Sequence, residues 1–318
     1  MSEKCDILLA ENLDDAGLTR LAAVGRLRRA GAADEATLVR EIAGAHALLV
    51  RSYAQVTERV IHAGRDLRVI GRAGVGLENV DLAAARRHGV AVVYTPAAAS
   101  DSVAEFTVGL VIALERHLPT GQAMIREGRF LEARKTLLGR ELRGLTLGIV
   151  GMGRIGRRVA RIGHCGLGMA VLYNDLLPVE DLEFPAEAVA KERVWTESDV
   201  VSLHVPLTRL THHLVDAAVL GRFKPSATLI NTARGAVLDS LALARALREG
   251  RIAGAALDVH EIEPIRPDNP LLSAPKVLLT PHLAARTGTG LANMNGVVDD
   301  VVAVLEGREP RYPAGEAE

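Results

Sequence analysis

The stretch from Leu147 to Asp175, LGIVGMGRIGRRVARIGHCGLGMAVLYND, constrains the fold of this chain more than any other. Leu147 to Val150 is an apolar tetrapeptide of the kind that forms a buried parallel strand. It leads straight into Gly151, Gly153 and Gly156, spaced as G-x-G-x-x-G. Gly151 permits the tight turn out of the strand, and Gly153 lets backbone approach a pyrophosphate with no Cβ in the way. Gly156 lets the next helix pack closely on the sheet. Ile155, Val159 and Ile162 then recur at helical spacing on one face. The start of that helix, at Arg154 and Ile155, offers free N–H groups and the positive end of a dipole to an anion. A second apolar run, Ala170 to Tyr173, ends at Asn174-Asp175, nineteen residues after the last glycine. An acid there accepts hydrogen bonds from ribose hydroxyls and repels a 2′-phosphate. No Arg or Lys follows closely, so the pattern predicts NAD rather than NADP.

The rest of the chain is consistent with two such α/β units. At 318 residues and 48% apolar composition there is enough material for two cores. Strand-like runs at Asp6–Ala10, Ala47–Val50, Leu67–Ile70 and Val90–Tyr94 alternate with helical patterns at Ala16–Val24 and Asn79–His88, a first and smaller domain. Ser102-x-x-Glu105 reads as a capping box opening a helix to about Leu118. That helix is apolar nearly all round, so it is expected to be buried, against a second subunit if not in its own core. Arg126 to Arg143 reads as a charged loop. After Asp175, strands are expected at Val200–Leu203, Ala227–Ile230, Gly254–Leu257 and Val277–Leu279, with a helix from about Asp239 to Glu249. With the two runs of the glycine motif this makes six, the count of a complete dinucleotide-binding sheet.

Charge and cysteine content exclude other classes. Lys plus Arg is 38 against Asp plus Glu 39, which gives no electrostatic reason to expect nucleic acid or an anionic membrane as a partner. Cys5 and Cys165 make no metal-ligand spacing, so no metal is expected, and a reducing compartment follows. No apolar run is long enough for a leader or a membrane span, and a cytoplasmic location is expected.

Ligands of open α/β sheets bind beyond the carboxyl ends of the strands. The residues that follow each strand therefore nominate a site: the glycine loop, Asp175, His204 and Pro206, Thr232 and Arg234, Asp258-Val259-His260 with Glu263, and His282. Oxidation of a hydroxyl by hydride transfer needs a base for its proton, and reduction needs the same group as an acid; a histidine serves both directions. His282 is the candidate. Glu263 is suited to orient that imidazole and favour its protonated form. Arg234 is suited to fork onto a substrate carboxylate, and Asp258 to fix the nicotinamide carboxamide. His212 and His213 are read as surface or packing residues.

These residues, with GRAGVGLENVDL (71–82), HVPLT (204–208), LINTARGAVLD (229–239), AGAALDVHEIEP (253–264) and TPHLA (280–284), resemble the D-2-hydroxyacid dehydrogenases. Within that family they resemble the 3-phosphoglycerate dehydrogenase-like branch. The resemblance implies a Rossmann-type cofactor domain, 99–285, inserted into a flavodoxin-like substrate domain, 1–98 with 286–318, the cleft between them closing over the substrate. It implies Arg234, Glu263 and His282 as catalytic trio and Gly74-Val75-Gly76 as donors to the substrate carboxylate. It places Asp175 at the ribose and Asp258 at the nicotinamide, and makes the helix after Ser102 the element of a homodimer.

Two departures bear on the substrate. The branch typically carries Asn-Gly-Asn after Thr-Pro, where this chain has Ala97-Ala98-Ala99, so an amide that helps hold the substrate is missing. With the chain ending at residue 318, feedback through a C-terminal serine-sensing domain is not expected. Arg51 and Arg72 stand about where the branch places phosphate-binding residues. The expected substrate is thus a small 2-hydroxy acid, 3-phosphoglycerate first and hydroxypyruvate or glyoxylate as the alternative. Formate oxidation is disfavoured, because it needs no histidine paired with a carboxylate. A reading of another class is a binding protein whose conformation follows NAD occupancy.

Overall fold

The computed structural model describes residues 5–315 and divides into two compact units, 1–99 with 286–318, and 100–285.

The first unit is built on five parallel strands, β1 (Cys5–Leu9), β2 (Gly25–Arg29), β3 (Ala47–Val50), β4 (Val69–Arg72) and β5 (Ala91–Tyr94), in the order β2-β1-β3-β4-β5. This is the flavodoxin-like order. The central strand β3, Ala-Leu-Leu-Val, is buried throughout, as a strand covered on both faces must be. β2 is a strand that the sequence pattern does not announce. Its residues are GRLRR, and an edge position tolerates three arginines because only one flank is paired. Two short helices, Glu35–Glu41 and Glu58–Ala63, are also additions to the sequence pattern. The helical pattern at Asn79–His88 narrows to Leu82–Arg87, with Asp81 as its N-cap accepting from the Ala84 N–H. The C-terminal helix Val297–Leu305 belongs to this unit. It lies so close to β4 that a Cβ on Gly71 would sit 2.5 Å from Val301 Cγ2.

The second unit is built on seven parallel strands, β6 (Thr146–Val150), β7 (Ala170–Asn174), β8 (Glu187–Ala188), β9 (Val200–Leu203), β10 (Thr228–Asn231), β11 (Gly254–Leu257) and β12 (Val277–Leu279). Their order is β12-β11-β10-β9-β6-β7-β8, so the count is seven rather than six. The extra strand, β8, is two exposed residues long at the edge, with no apolar run to mark it. From β6 the chain steps outward through β7 to β8, then returns to the other flank of β6 as β9. The reversal of direction between β6 and β9 is the topological switch point at which such sheets bind dinucleotides.

Helix boundaries correct the sequence reading in two places. The long helix begins at Ser100 and ends at Glu115, which puts Ser102 and Glu105 inside it and removes the capping box. Its burial is one-sided: Val103, Ala104, Val108 and Val111 are buried, whereas Phe106, Ile112 and Leu114 are only partly so and Glu105 is exposed. The charged segment Arg126–Arg143 is a loop only in part. Helices run over Leu118–Arg126 and Phe130–Thr136, each ending on basic residues that favour a helix C-terminus. No helix among the described residues is long and apolar enough to cross a membrane.

Candidate active site

β6 runs into the glycine loop as its sequence requires. Gly151 has φ +92°, a conformation that side chains disfavour, and a Cβ there would lie 2.6 Å from the His204 carbonyl oxygen on the neighbouring segment after β9. A Cβ on Gly156 would lie 2.0 Å from the Gly151 carbonyl, so the helix Arg154–Arg161 can approach the strand only because that Cβ is missing. At Gly153 the situation is reversed: an added Cβ would meet no atom of the described residues within 4 Å. Gly153 is therefore open on the side where no packing demands it, as a loop that receives a pyrophosphate must be. Behind the loop, Ile155, Val159 and Ile162 all pack into the core cluster that contains Ile149 and Val171.

Asp175 closes the loop from the end of β7. Its carboxylate accepts the Met152 N–H at 2.6 Å and the Leu177 N–H at 3.1 Å, which fixes its position beside the glycines. The two residues that follow are exposed leucines, not cations. This charge pattern fits a free ribose and not a phosphorylated one. His204, after β9, shares a hydrogen bond of 2.9 Å between its Nε2 and Ser202 Oγ, while its Nδ1 is buried with no partner among the described residues. Burial holds the imidazole neutral, its pKa pushed down to about 3. Pro206 continues that segment, its carbonyl accepting Thr211 Oγ1 at 2.6 Å. Thr232, after β10, meets Thr107 Oγ1 at 2.8 Å in the interior. An open glycine cradle at the switch point and an orphaned buried nitrogen on the adjoining segment both fit a dinucleotide cofactor.

The three strands on the far side of the switch point carry the acid–base groups. Arg234 follows β10, Glu263 follows β11 and His282 follows β12, and these strands are neighbours in the sheet. His282 Nδ1 lies 2.8 Å from Glu263 Oε2. The backbone of His282 is in the left-handed region, φ +54°, where its N–H donates to the Asp258 carbonyl at 2.8 Å and to the Thr280 carbonyl at 3.1 Å. The other Glu263 oxygen accepts the His260 N–H at 2.9 Å. Partial burial acts to raise the Glu263 pKa. The hydrogen bonds from His282 and from the His260 backbone, with the charges of the two imidazoles, outweigh it and hold the carboxyl below its usual range. Arg234 Nη1 donates to the Ala233 carbonyl at 2.6 Å, and Asn231 Nδ2 holds the Arg234 carbonyl at 2.9 Å.

Asp258 is at this edge too, but its side chain is fully buried. Oδ1 accepts Thr280 Oγ1 at 2.6 Å and the Leu283 N–H at 2.8 Å, and Oδ2 accepts the Ala284 N–H at 2.8 Å. The structure thus uses this carboxylate to shape the loop that carries His282. The sequence pattern points it at the nicotinamide instead, because an acid after a strand looks the same whether it turns outward or in. Thr280 opens the segment 280–284 that the sequence pattern selects, whereas Ser202, inside β9, is not singled out by it. Ser202 stands two residues before a selected histidine, which is the signal that could have found it.

In the first unit, Arg51 follows β3 and Arg72 ends β4. The Arg51 loop is fixed through its backbone: Glu11 Oε1 accepts the N–H groups of Arg51 at 2.8 Å and of Tyr53 and Ala54 at 3.1 Å. Gly74 has φ +150°, and a Cβ there would lie 1.5 Å from Arg72 Nη1, so the Arg72 guanidinium rests on the Gly74 backbone. Val75 and Gly76 complete that loop, and the Gly74 carbonyl accepts the Thr95 N–H at 3.1 Å.

Comparison with known proteins agrees with this geometry. The family described as D-isomer specific 2-hydroxyacid dehydrogenase, NAD binding domain, matches residues 108–284. Over 262 residues the chain is 42% identical to a glyoxylate reductase of Korarchaeum cryptofilum, covering 80% of this chain and 78% of that one. Over 274 residues it is 38% identical to a D-3-phosphoglycerate dehydrogenase of Archaeoglobus fulgidus, covering 85% of this chain. It spans about half, 51%, of the length of that relative. A solved structure from Thermus thermophilus superposes with a TM-score of 0.89 at 38% identity, covering 98% of this chain and 100% of that one. The fold and the glycine cradle define a two-unit, nicotinamide-nucleotide-binding α/β protein. The chain belongs to the D-2-hydroxyacid dehydrogenase family.

Proposed function

We propose that this protein is an NAD-dependent oxidoreductase that interconverts a small D-2-hydroxy acid and its 2-keto acid. The observation that carries this reading is the His282–Glu263 hydrogen bond of 2.8 Å, placed at the carboxyl edge of the same sheet that forms the glycine cradle. NAD, when bound, supplies the hydride acceptor, and NADH the donor. Gly151, Gly153, Gly156 and the N–H groups of Arg154 and Ile155 would hold its pyrophosphate, and Asp175 its ribose, with His204, Pro206 and Thr232 lining the adjoining segments.

The chain's own residues then have distinct tasks. His282 holds the proton that the substrate oxygen gains on reduction and takes it back on oxidation. Glu263 keeps the imidazole oriented through Nδ1, which leaves Nε2, with no partner among the described residues, as the atom for the substrate. Arg234 binds the substrate carboxylate. Asp258 positions the His282 loop. In the first unit we assign Arg51, Arg72 and the Gly74-Val75-Gly76 backbone to the substrate's anionic groups. We place the enzyme in the cytoplasm as a homodimer, a reading supported by the exposed Leu118, Ile125, Phe130 and Leu131 on consecutive helices of the second unit.

For the substrate, Arg51 and Arg72 support 3-phosphoglycerate. Ala97-Ala98-Ala99, in place of an amide-bearing segment, supports unphosphorylated acids such as hydroxypyruvate and glyoxylate. Loss of NADH absorbance with phosphohydroxypyruvate, hydroxypyruvate, glyoxylate and pyruvate, each repeated with NADPH, tests both. Preference for the phosphorylated acid assigns the arginines to phosphate, and preference for the others assigns a general keto-acid reductase. Binding of NADH without turnover of any 2-keto acid would reject the enzyme in favour of an NAD-responsive binding protein.

A further inference from the structure

His260 is a third histidine at the carboxyl edge, and its position touches the segments that carry all three residues of the trio. Its N–H donates to Glu263 Oε1 at 2.9 Å, the oxygen that His282 does not use. Its imidazole Nε2 lies 3.0 Å from the Thr280 carbonyl, two residues before His282, and that same carbonyl accepts the His282 N–H at 3.1 Å. Its backbone abuts the residue after Arg234 so closely that a Cβ on Gly235 would lie 1.9 Å from the His260 carbonyl carbon. Because a carbonyl only accepts, Nε2 must carry a proton to make the ring bond. In the neutral ring Nδ1 is then the bare nitrogen, and it is buried with no partner among the described residues. A buried polar atom left in that condition is disfavoured unless the rest of the side chain is needed where it is.

We propose that His260 is the positioning residue of the site: its ring N–H fixes the Thr280–His282 loop at the distance at which Nδ1 of His282 meets Glu263. The backbone bond to Glu263 survives any substitution except proline, so the side chain's contribution is isolated in the single bond to Thr280. The charged and titratable groups around it are Glu261 and Glu263 on its own turn, Asp258 before it, Arg234 on the facing segment and His282 on the loop it holds. Of these, Asp258 braces the same loop through Leu283 and Ala284 after His282 and through the Thr280 hydroxyl before it. The His260 ring adds the bond to the Thr280 carbonyl, so the backbone before His282 is held by the imidazole while the carboxylate holds the side chain beside it.

This proposal rests on the reading of His282 and Glu263 as a pair, and two variants test it. His260→Phe keeps a ring of similar size and removes the donor, whereas His260→Gln restores an N–H. In His260→Phe, kcat for keto-acid reduction is expected to fall about 10-fold with the dissociation constant for NADH unchanged, and Gln is expected to recover most of it. Reduction needs the protonated imidazole. A loosened pair therefore moves the fall of activity at rising pH to lower pH, a shift that simple destabilisation does not cause. An NMR titration of the His282 ring signal, assigned by its loss in His282→Ala, reads the same displacement without any turnover. A lower midpoint in the Phe variant supports the proposal even if the substrate reading fails. An unchanged midpoint and pH profile in the Phe variant, or a Gln variant no better than Phe, would overturn it.

Discussion

The two edges of the seven-stranded sheet use the same residue types to opposite ends. At the amino edge, Glu115 has a side chain only 3% exposed and accepts Arg140 Nε and Nη2 at 2.8 Å each and Thr228 Oγ1 at 2.8 Å. Nearby, Asp199 accepts the Thr146 N–H and Lys224 Nζ, both at 2.9 Å. Each carboxylate there is surrounded by donors from its own chain. At the carboxyl edge, Glu263 and His282 also pair, yet their side chains remain 37% and 49% exposed, and His282 Nε2 is left without a partner among the described residues. Complete satisfaction marks a charge that holds the fold. A paired group with one free, accessible atom marks a charge kept for something else to bind.

Substitutions at the two edges should therefore separate stability from turnover. The largest effect is expected for His282→Ala, which should lower kcat by about 1,000-fold while leaving the melting temperature and NADH binding near wild type. Steady-state rates beside a thermal melt check it, and full activity would remove His282 from the acid–base role. Next is Glu115→Ala, which strips the partly exposed Arg140 guanidinium and the buried Thr228 hydroxyl of their acceptor. A loss of about 3 kcal/mol in chemical denaturation is expected, with the rate per folded molecule unchanged. Glu263→Gln should lower kcat about 100-fold and move the loss of reductase activity to lower pH, because the imidazole no longer has an anion favouring its proton.

A smaller effect concerns pH and stability. His204 takes up a proton in the unfolded chain as pH falls through about 6.5, but in the folded chain only near 3. The unfolded state thus binds more protons in that window, and stability should fall as pH drops from 7 towards 4. A His204→Asn variant should show a flatter dependence in denaturation measured across that range. The smallest effect is expected for Lys224→Met, within about 1 kcal/mol, since the ammonium is partly solvated and Asp199 keeps its backbone donor.

Interior strands are legible in the sequence, whereas an edge strand shows itself only where it happens to keep an apolar run. β3, β9 and β11 have the same bounds as their expected runs, because a strand covered on both faces is apolar along most of its length, and β12, a half-buried edge strand, keeps its run as well. β2 and β8 are edge strands, where neither a run nor an alternation is demanded, and GRLRR and Glu-Ala show none. Helix ends are legible where a cap makes a real bond, as at Asp239 with the Ala242 N–H, and misplaced where Ser102 and Glu105 imitate a cap inside a longer helix. The same limit applies to the site. Spacing after the strands locates Glu263 and His282, whose proximity the fold delivers. It does not reveal that Asp258 turns inward or that the His260 ring reaches Thr280, since both depend on how a loop folds back and not on where it starts.

The first unit is discontinuous in sequence, whereas the second occupies one uninterrupted span. During synthesis from the amino terminus, residues 100–285 can close their sheet as soon as they emerge. The first sheet must wait, because the helix Val297–Leu305 that covers Gly71 is translated after the entire second unit. The nascent protein therefore completes its nucleotide-binding half first. β4, with Arg72 at its end, stays uncovered until the residues of that helix are made.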